Sequence, residues 1–121
     1  MSNDLWRYVI AGFLIMHGIG HSGGYWMFVR SWLSPELVSG PMKWVSVVVW
    51  LVVMVVFITA GIAILQQQGW WRTAALAAAL VSLAISALYI QGTPFNAAAA
   101  DLLILLALVF LRWPTPDLVG S

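Results

Sequence analysis

The most constraining feature of this sequence is an apolar run over residues 44–65, WVSVVVWLVVMVVFITAGIAIL, which contains no charged side chain. A helix needs about 20 predominantly apolar residues to cross the hydrocarbon core of a bilayer. The many valines would favour a buried strand in a soluble protein, but the uninterrupted length of the run favours a membrane helix. The run therefore predicts a transmembrane span.

The composition of the whole chain predicts the same environment. Of 121 residues, 63% are hydrophobic and 7% are charged, whereas about a quarter of the residues in a soluble domain are charged. A soluble chain of this length has no single core large enough to bury so much apolar surface. We therefore predict an integral membrane protein whose main partner is the lipid bilayer.

The charged residues and the lack of cysteine exclude several classes of function. The five basic residues stand singly along the chain, at Arg7, Arg30, Lys43, Arg72 and Arg112. Nucleic-acid binding requires a clustered basic surface, so no nucleic-acid partner is expected. The chain has no cysteine, which excludes disulfides, thiolate metal sites and iron–sulfur clusters.

The apolar segments predict four spans, at about residues 6–32, 44–65, 71–90 and 95–113. The Gly40-Pro41 pair marks the connection after the first span, and Pro114 ends the last one. Because the connections are short, consecutive helices are expected to be antiparallel neighbours. The predicted fold is all-α: one up-down four-helix bundle over residues 1–121, with both termini on the same side.

The basic residues also predict an orientation. Arg7, Arg72 and Arg112 lie on the terminal side of the predicted bundle, and Arg30 and Lys43 lie on the other side. An excess of basic residues marks the cytoplasmic side, so we expect the termini in the cytoplasm and the protein in a bacterial inner membrane. Indole rings favour the headgroup level of a bilayer. The tryptophans near the predicted span ends are Trp6, Trp26, Trp32, Trp44, Trp70, Trp71 and Trp113.

The segment MHGIGHSGG carries the only two histidines of the chain, His17 and His21. Residues four positions apart share one face of a helix. Gly20 and Gly24 form a GxxxG pair on that face, which in membranes marks the close approach of another helix. We therefore predict that this face points into the bundle and that both glycines mediate helix packing.

Polar residues of two later spans are expected to meet the histidine face. The third span has one face that begins with alanines and ends with the hydroxyls of Ser82, Ser86 and Tyr89. Asp101 lies about two turns inside the fourth span, at a depth close to that of His21. A lone carboxylate costs several kcal/mol in a bilayer, so it should face the interior. We expect His21 to be its partner, with Ser86 and Tyr89 as donors, in the half of the bilayer away from the termini.

The chain resembles an uncharacterised group of small bacterial four-helix membrane proteins. The resemblance rests on a His-Gly-x-x-His-x-x-Gly pattern in the first helix, here His17, Gly18, His21 and Gly24, and on a tryptophan-rich start of the third helix, here Trp70 and Trp71. It implies a fold and a membrane location but no assigned activity. Asp101 differs from the pattern of the group, whose members are expected to carry asparagine near this position. A more distant resemblance connects the chain to DoxX-like membrane proteins, some of which are associated with quinone-linked oxidation.

The predicted polar cluster in an apolar bundle is typical of a pocket for a lipid-soluble ligand. Its candidate residues are His17, His21, Ser82, Ser86, Tyr89 and Asp101. The first hypothesis is a non-enzymatic membrane protein that binds a quinone or lipid-like ligand there, or that serves as an accessory subunit of a larger membrane complex or a homo-oligomer. A membrane oxidoreductase or isomerase using the same residues is an alternative. Two further alternatives are a proton relay and purely structural polar packing without a ligand.

Metal and haem sites are less favoured by the same residues. Histidines four positions apart can chelate one ion, and Asp101 would complete a set with His17 and His21. The chain offers no third histidine and no cysteine, so we predict no metal and keep this set as an alternative. Two imidazoles on one helix face cannot occupy opposite axial positions of one iron, so haem is not expected either.

Overall fold

The computed structural model describes residues 3–21, 41–88 and 95–115. These residues form four α-helices and no strand. The helices are α1 (Asn3–Gly20), α2 (Pro41–Leu65), α3 (Trp71–Leu88) and α4 (Phe95–Leu105). A π-helix over Leu106–Phe110 continues α4. The prediction of an all-α fold is confirmed for the described part of the chain.

The helix bounds can be compared with the four predicted spans. α2 begins at Pro41 and ends at Leu65, and α3 begins at Trp71, where the third span was expected to begin. α1 ends at Gly20 and His21 forms a turn, so the described part of the first span is shorter than expected. Residues 22–32 of that span and residues 89–90 of the third lie outside the described residues.

Consecutive helices pack side by side, α1 against α2, α2 against α3 and α3 against α4. α4 also touches α1, although this contact is sparse. The core is centred on α2, where Phe57, Ala60 and Ala63 are fully buried, and on Ala75 and Ala79 of α3. Alanine side chains in the core bring the helix backbones close together, as expected of apolar helices that associate by close packing.

Two glycines set the close approach of α1 and α2. A Cβ atom added at Gly18 would lie 3.0 Å from the carbonyl oxygen of Met54 and 3.0 Å from Cβ of Phe57. One added at Gly61 would lie 2.9 Å from the carbonyl oxygen of Ala11 and 2.5 Å from Cγ1 of Ile15. Only a residue without a side chain fits at such distances from another backbone.

The helix packing predicted at Gly20 has no counterpart among the described residues. A Cβ added at Gly20 would meet no atom within 4 Å, because Gly20 lies on the exposed side of the last turn of α1. Gly18, two residues earlier, faces α2 instead. Gly24, the other half of the predicted pair, lies outside the described residues.

The turn between α2 and α3 begins with a hydrogen-bonded helix end. The amide of Gln68 donates to the carbonyl of Ala63 at 2.8 Å, and that of Gln67 donates to the carbonyl of Ile64 at 3.0 Å. Gln67 has φ = 58°, the left-handed conformation that such a helix end requires. The last carbonyls of α2 are thereby satisfied, which permits the short connection to α3.

The outer surface of the helices is strongly apolar. One described helix segment, Trp44–Leu65, is long and apolar enough to cross a membrane, and less than half of it is buried. Its exposed side chains include Val45, Val48, Val52, Val55, Ile62 and Leu65. The apolar segments of the other helices are shorter, at residues 5–20, 71–85 and 98–110.

Candidate functional site

A buried ion-pair geometry joins the first helix to the last one. Nε2 of His17 lies 2.6 Å from Oδ1 of Asp101, slightly shorter than the roughly 2.7–2.9 Å of a charge-assisted N–H···O bond. His17 lies near the end of α1 and keeps 9% of its side-chain exposure, whereas Asp101 is fully buried in α4. The carboxylate thus finds a polar partner inside the helix assembly.

Ser82 connects this pair to the second histidine. Its Oγ is hydrogen-bonded to Oδ2 of Asp101 and lies 2.9 Å from Nε2 of His21. His21, Ser82 and Asp101 are all buried, each at most 1% exposed. The result is one continuous chain of hydrogen bonds, His17–Asp101–Ser82–His21, which we call the polar chain. It draws on α1, on α3 and on α4.

The orientation of His21 is fixed by its own helix end and by aromatic rings of α2. Its Nδ1 donates to the carbonyl oxygen of His17 at 2.9 Å. The ring centroids of Trp50 and Phe57 lie 4.6 Å and 5.4 Å from that of His21. Phe57 also meets the ring of His17 edge-on at 4.8 Å. These aromatic rings cover the histidines on the α2 side and fix the positions of their rings.

The structure brings together four of the six residues that the sequence suggested for a polar cluster: His17, His21, Ser82 and Asp101. The direct partner of the carboxylate is His17, however, and His21 reaches it through Ser82. Among the described residues, the hydroxyl that is hydrogen-bonded to Asp101 belongs to Ser82. The side chains of Ser86 and Tyr89 lie outside the described part of the structure.

One ring nitrogen of the polar chain is open. The hydrogen bonds given above engage most of the polar atoms: both nitrogens of His21, Nε2 of His17 and both oxygens of Asp101. Nδ1 of His17 has no hydrogen-bond partner among the described residues, and it is not one of their fully buried unpartnered atoms. Among the described atoms of the polar chain, it is the one left to bind a further molecule.

An apolar groove begins about one helical turn from His17, at Phe13. Phe13 lies nearly parallel to the ring of His17, at 6.1 Å between centroids, and it also lines the groove. Ile104, about one turn beyond Asp101 on α4, lines the opposite side. The groove has a volume of about 220 Å³ and runs between α1 and α4 as far as Trp6, Trp113 and Pro114. Its wall exposes no polar surface.

The histidines and Asp101 are arranged for hydrogen bonding rather than around a point that an ion would occupy. Their nearest ligand atoms lie within 4.8 Å of one another, and the closest pair, His17 Nε2 and Asp101 Oδ1, is 2.6 Å apart. Two donors that share a tetrahedral zinc at about 2.0–2.1 Å stand roughly 3.3 Å apart. A shared ion would have to separate the His17–Asp101 pair, so the arrangement favours direct proton sharing.

Several site residues have no signal of their own in the sequence. Phe57 and Trp50 lie in the uniform apolar run of α2, where nothing distinguishes them from neighbouring valines. The position of Trp71 near a predicted span end led us to expect it at the headgroup level. In the structure it is 1% exposed and lines the groove. Gly18 stands between the two histidines, and this adjacency was a usable signal that the histidine face packs closely against another helix.

Comparison with known proteins assigns no family to this arrangement. No protein-family model, no curated protein and no solved structure matches the chain. The function must therefore be inferred from the polar chain and the groove themselves.

Proposed function

We propose that this chain is a small integral membrane protein that binds a lipid-soluble ligand, with the polar head of the ligand at Nδ1 of His17 and its apolar body in the groove between α1 and α4. The observation that carries the proposal is a ring nitrogen without a described partner, in an otherwise buried polar chain that lies about one helical turn from an entirely apolar groove. Ligand pockets characteristically combine an apolar lining with a few polar groups that fix orientation.

The surface of the helices supports a bilayer location. Large apolar side chains are exposed on every helix, among them Met16 on α1, Val48 on α2, Leu80 on α3 and Leu103 on α4. Contiguous apolar surface of this extent marks a membrane or protein interface. In the proposal the four helices cross the inner membrane as an antiparallel up-down bundle, and lipid covers these side chains.

The chemistry of the site defines the ligand class. The head presents one carbonyl or hydroxyl oxygen to the polar chain, because one ring nitrogen is open to it. The groove of about 220 Å³ is smaller than the 300–1,000 Å³, roughly, of sites for drug-sized molecules. It suits an alkyl or isoprenoid chain, and the planar face of Phe13 suits a flat head above it. A quinone or a similar lipid-like molecule meets these requirements.

A purely structural role is the second candidate, and a specific observation favours it. The polar chain joins α1, α3 and α4 and satisfies nearly all of its own donors and acceptors. Such interhelical bonds contribute about 0.6 kcal/mol each on average in membranes, and they also fix helix register. A structural role needs the polar chain but not the groove, so substitutions in the groove separate the two candidates.

The test uses purified protein in mild detergent and decylubiquinone as the probe. Trp6, Trp71 and Trp113 line the groove, so a bound quinone should quench tryptophan emission saturably. Ala107→Leu places a larger side chain in the groove and should weaken binding by tenfold or more. Mass spectrometry of the lipid extract should show one co-purified lipid-soluble molecule per chain in the wild type, depleted in this variant.

The matched control is Ala77→Leu, the same substitution in a separate apolar depression between α2 and α3, which should bind as the wild type does. Equal binding by Ala107→Leu and the wild type would place any ligand elsewhere. Absence of saturable binding together with a ligand-free extract would leave the structural role as the function of the polar chain.

A further inference from the structure

The polar chain requires one more hydrogen atom than its residues carry in their ordinary ionisation states. Nδ1 of His21 must hold a hydrogen, since it meets a carbonyl oxygen, which can only accept. Three further links each need one hydrogen: His17–Asp101, Ser82–Asp101 and His21–Ser82. The Nε2–H of His17 supplies the first link, and the single hydroxyl hydrogen of Ser82 supplies one of the other two. With Asp101 ionised and both histidines neutral, nothing remains for the last link.

We infer that the Asp101–Ser82–His21 segment holds one additional shared proton, which makes the whole polar chain electrically neutral. Two arrangements satisfy every link. In the first, His21 is an imidazolium that donates to Ser82, and Ser82 donates to ionised Asp101. In the second, a neutral carboxylic acid at Asp101 donates to Ser82, and Ser82 donates to neutral His21.

A double proton transfer interconverts these arrangements without changing the total charge. The Nε2–H bond of His21 breaks as an O–H bond forms on Ser82. The original O–H bond of Ser82 breaks as an O–H bond forms on Oδ2 of Asp101. No proton enters or leaves the cluster, and no other reactant is required.

The surroundings favour the neutral state. A net negative charge would be buried among apolar groups, which is expensive without a counter-ion. α2 presents the rings of Trp50 and Phe57 to the histidines and no titratable group among its described side chains. The nearest described cations on α1 and α3, Arg7 and Arg72, precede His17 and Ser82 by ten residues, roughly 15 Å along a helix. The additional proton is therefore the counter-charge of Asp101.

The neutral state of the polar chain determines the chemistry of the open nitrogen. Because Nε2 of His17 carries the hydrogen given to Asp101, Nδ1 of the neutral ring is bare and accepts a hydrogen bond. This step rests on the proposed function: the preferred head group of the ligand is then a hydroxyl, as in a quinol or a long-chain alcohol. Proton exchange between the polar chain and its surroundings also passes through this nitrogen. The nitrogen at the other end of the polar chain, Nδ1 of His21, donates its hydrogen to a backbone carbonyl.

The test is nitrogen NMR of protein labelled only in its histidine rings and measured without added ligand. The chain has two histidines, so the spectrum contains two rings. At neutral pH we expect bare Nδ1 and protonated Nε2 in His17. We expect protonated Nδ1 in His21, with its Nε2 in a strong hydrogen bond. A bare Nδ1 in His21, or a His21 ring whose Nε2 resembles that of a free neutral imidazole, would overturn the inference.

Ser82→Ala interrupts the shared segment and should release the additional proton, so that Nε2 of His21 becomes an ordinary bare nitrogen. Ser82→Thr retains the hydroxyl and should restore the wild-type signals. Thr59→Val is the matched control, because the hydroxyl of Thr59 bonds only the carbonyl of Val56 on its own helix. Unchanged His21 signals in Ser82→Ala would show that no proton is shared. Failure of this test leaves quinone binding in the groove intact, and failure of quinone binding leaves the proton count intact.

Discussion

His17 and Asp101 lie 84 positions apart in sequence and 2.6 Å apart between Nε2 and Oδ1. Their hydrogen bond joins α1 to α4, the pair of neighbouring helices that otherwise touch least. The apolar groove lies between the same two helices. One polar contact therefore closes this side of the helix assembly above the groove, and it leaves the remaining space free for an apolar molecule.

Asp101→Asn should preserve the fold, whereas Asp101→Ala should not. The asparagine oxygen accepts from His17, its NH₂ donates to Ser82, and Ser82 donates to neutral His21, so every link is satisfied without the additional proton. We expect a change below about 1 kcal/mol for asparagine and a loss of about 3 kcal/mol or more for alanine, which leaves buried polar partners unpaired. Thermal unfolding in detergent measures both. Equal destabilisation by the two variants would instead indicate an ionised Asp101 paired with a charged His17.

Gly61→Ala should loosen the contact between α1 and α2. The added methyl group would lie 2.9 Å from the carbonyl oxygen of Ala11 and 2.5 Å from Ile15, so the helices must move apart. Overpacking of this kind typically costs about 1–3 kcal/mol. Chemical denaturation followed by circular dichroism should show the loss. Gly12→Ala on α1 is the control, because a methyl group there meets nothing within 4 Å; a comparable loss in that variant would refute the packing explanation.

Gln67→Gly should stabilise the protein. Gln67 holds φ = 58° at the end of α2, and its side chain is exposed, so glycine removes backbone strain without removing packing. The expected gain is about 0.5–1 kcal/mol, since the greater freedom of glycine in the unfolded chain offsets part of the relief. A rise in the midpoint of thermal unfolding checks this. Gln66→Gly, one residue earlier, should give no such rise.

The head-group preference should depend on His17. The bare Nδ1 of its ring accepts a hydrogen bond, so a long-chain secondary alcohol should bind more tightly than the ketone of the same chain. Competition against decylubiquinone quenching measures both affinities. His17→Phe should abolish this preference and leave only weak binding by the groove; a preference that persists in this variant would locate the polar contact elsewhere.

Helical periodicity anticipated that residues of the first, third and last helices share a polar cluster. It placed His17 and His21 on one face, Ser82 on the polar face of α3, and Asp101 at a matching depth. Periodicity specifies a direction around a helix to within a broad sector, however, and depth only to about a turn. It therefore named His21 as the direct partner of Asp101, whereas the tertiary structure pairs Asp101 with His17 and inserts Ser82 before His21.

The glycines that set the described contact between α1 and α2 differ from the predicted one, and the difference has a physical reason. The GxxxG spacing identifies Gly20, but a spacing does not specify which side of the helix meets a neighbour. The crossing of α1 over α2 selects Gly18 and Gly61, because backbone carbonyls and Phe57 approach there within 3.0 Å of a notional side chain. Such a crossing depends on the shapes of both helices together.

By itself, the sequence determined the all-helical class and the apolar character of the surface, since hydropathy and segment length are properties of each segment alone. It also determined which polar groups need partners, because two histidines and one carboxylate stand in apolar segments. Only the tertiary structure decided which donor faces which acceptor, where the open nitrogen lies, and that a groove lies nearby. These features depend on distances of a few tenths of an ångström between residues that are remote in sequence, and no local pattern encodes them.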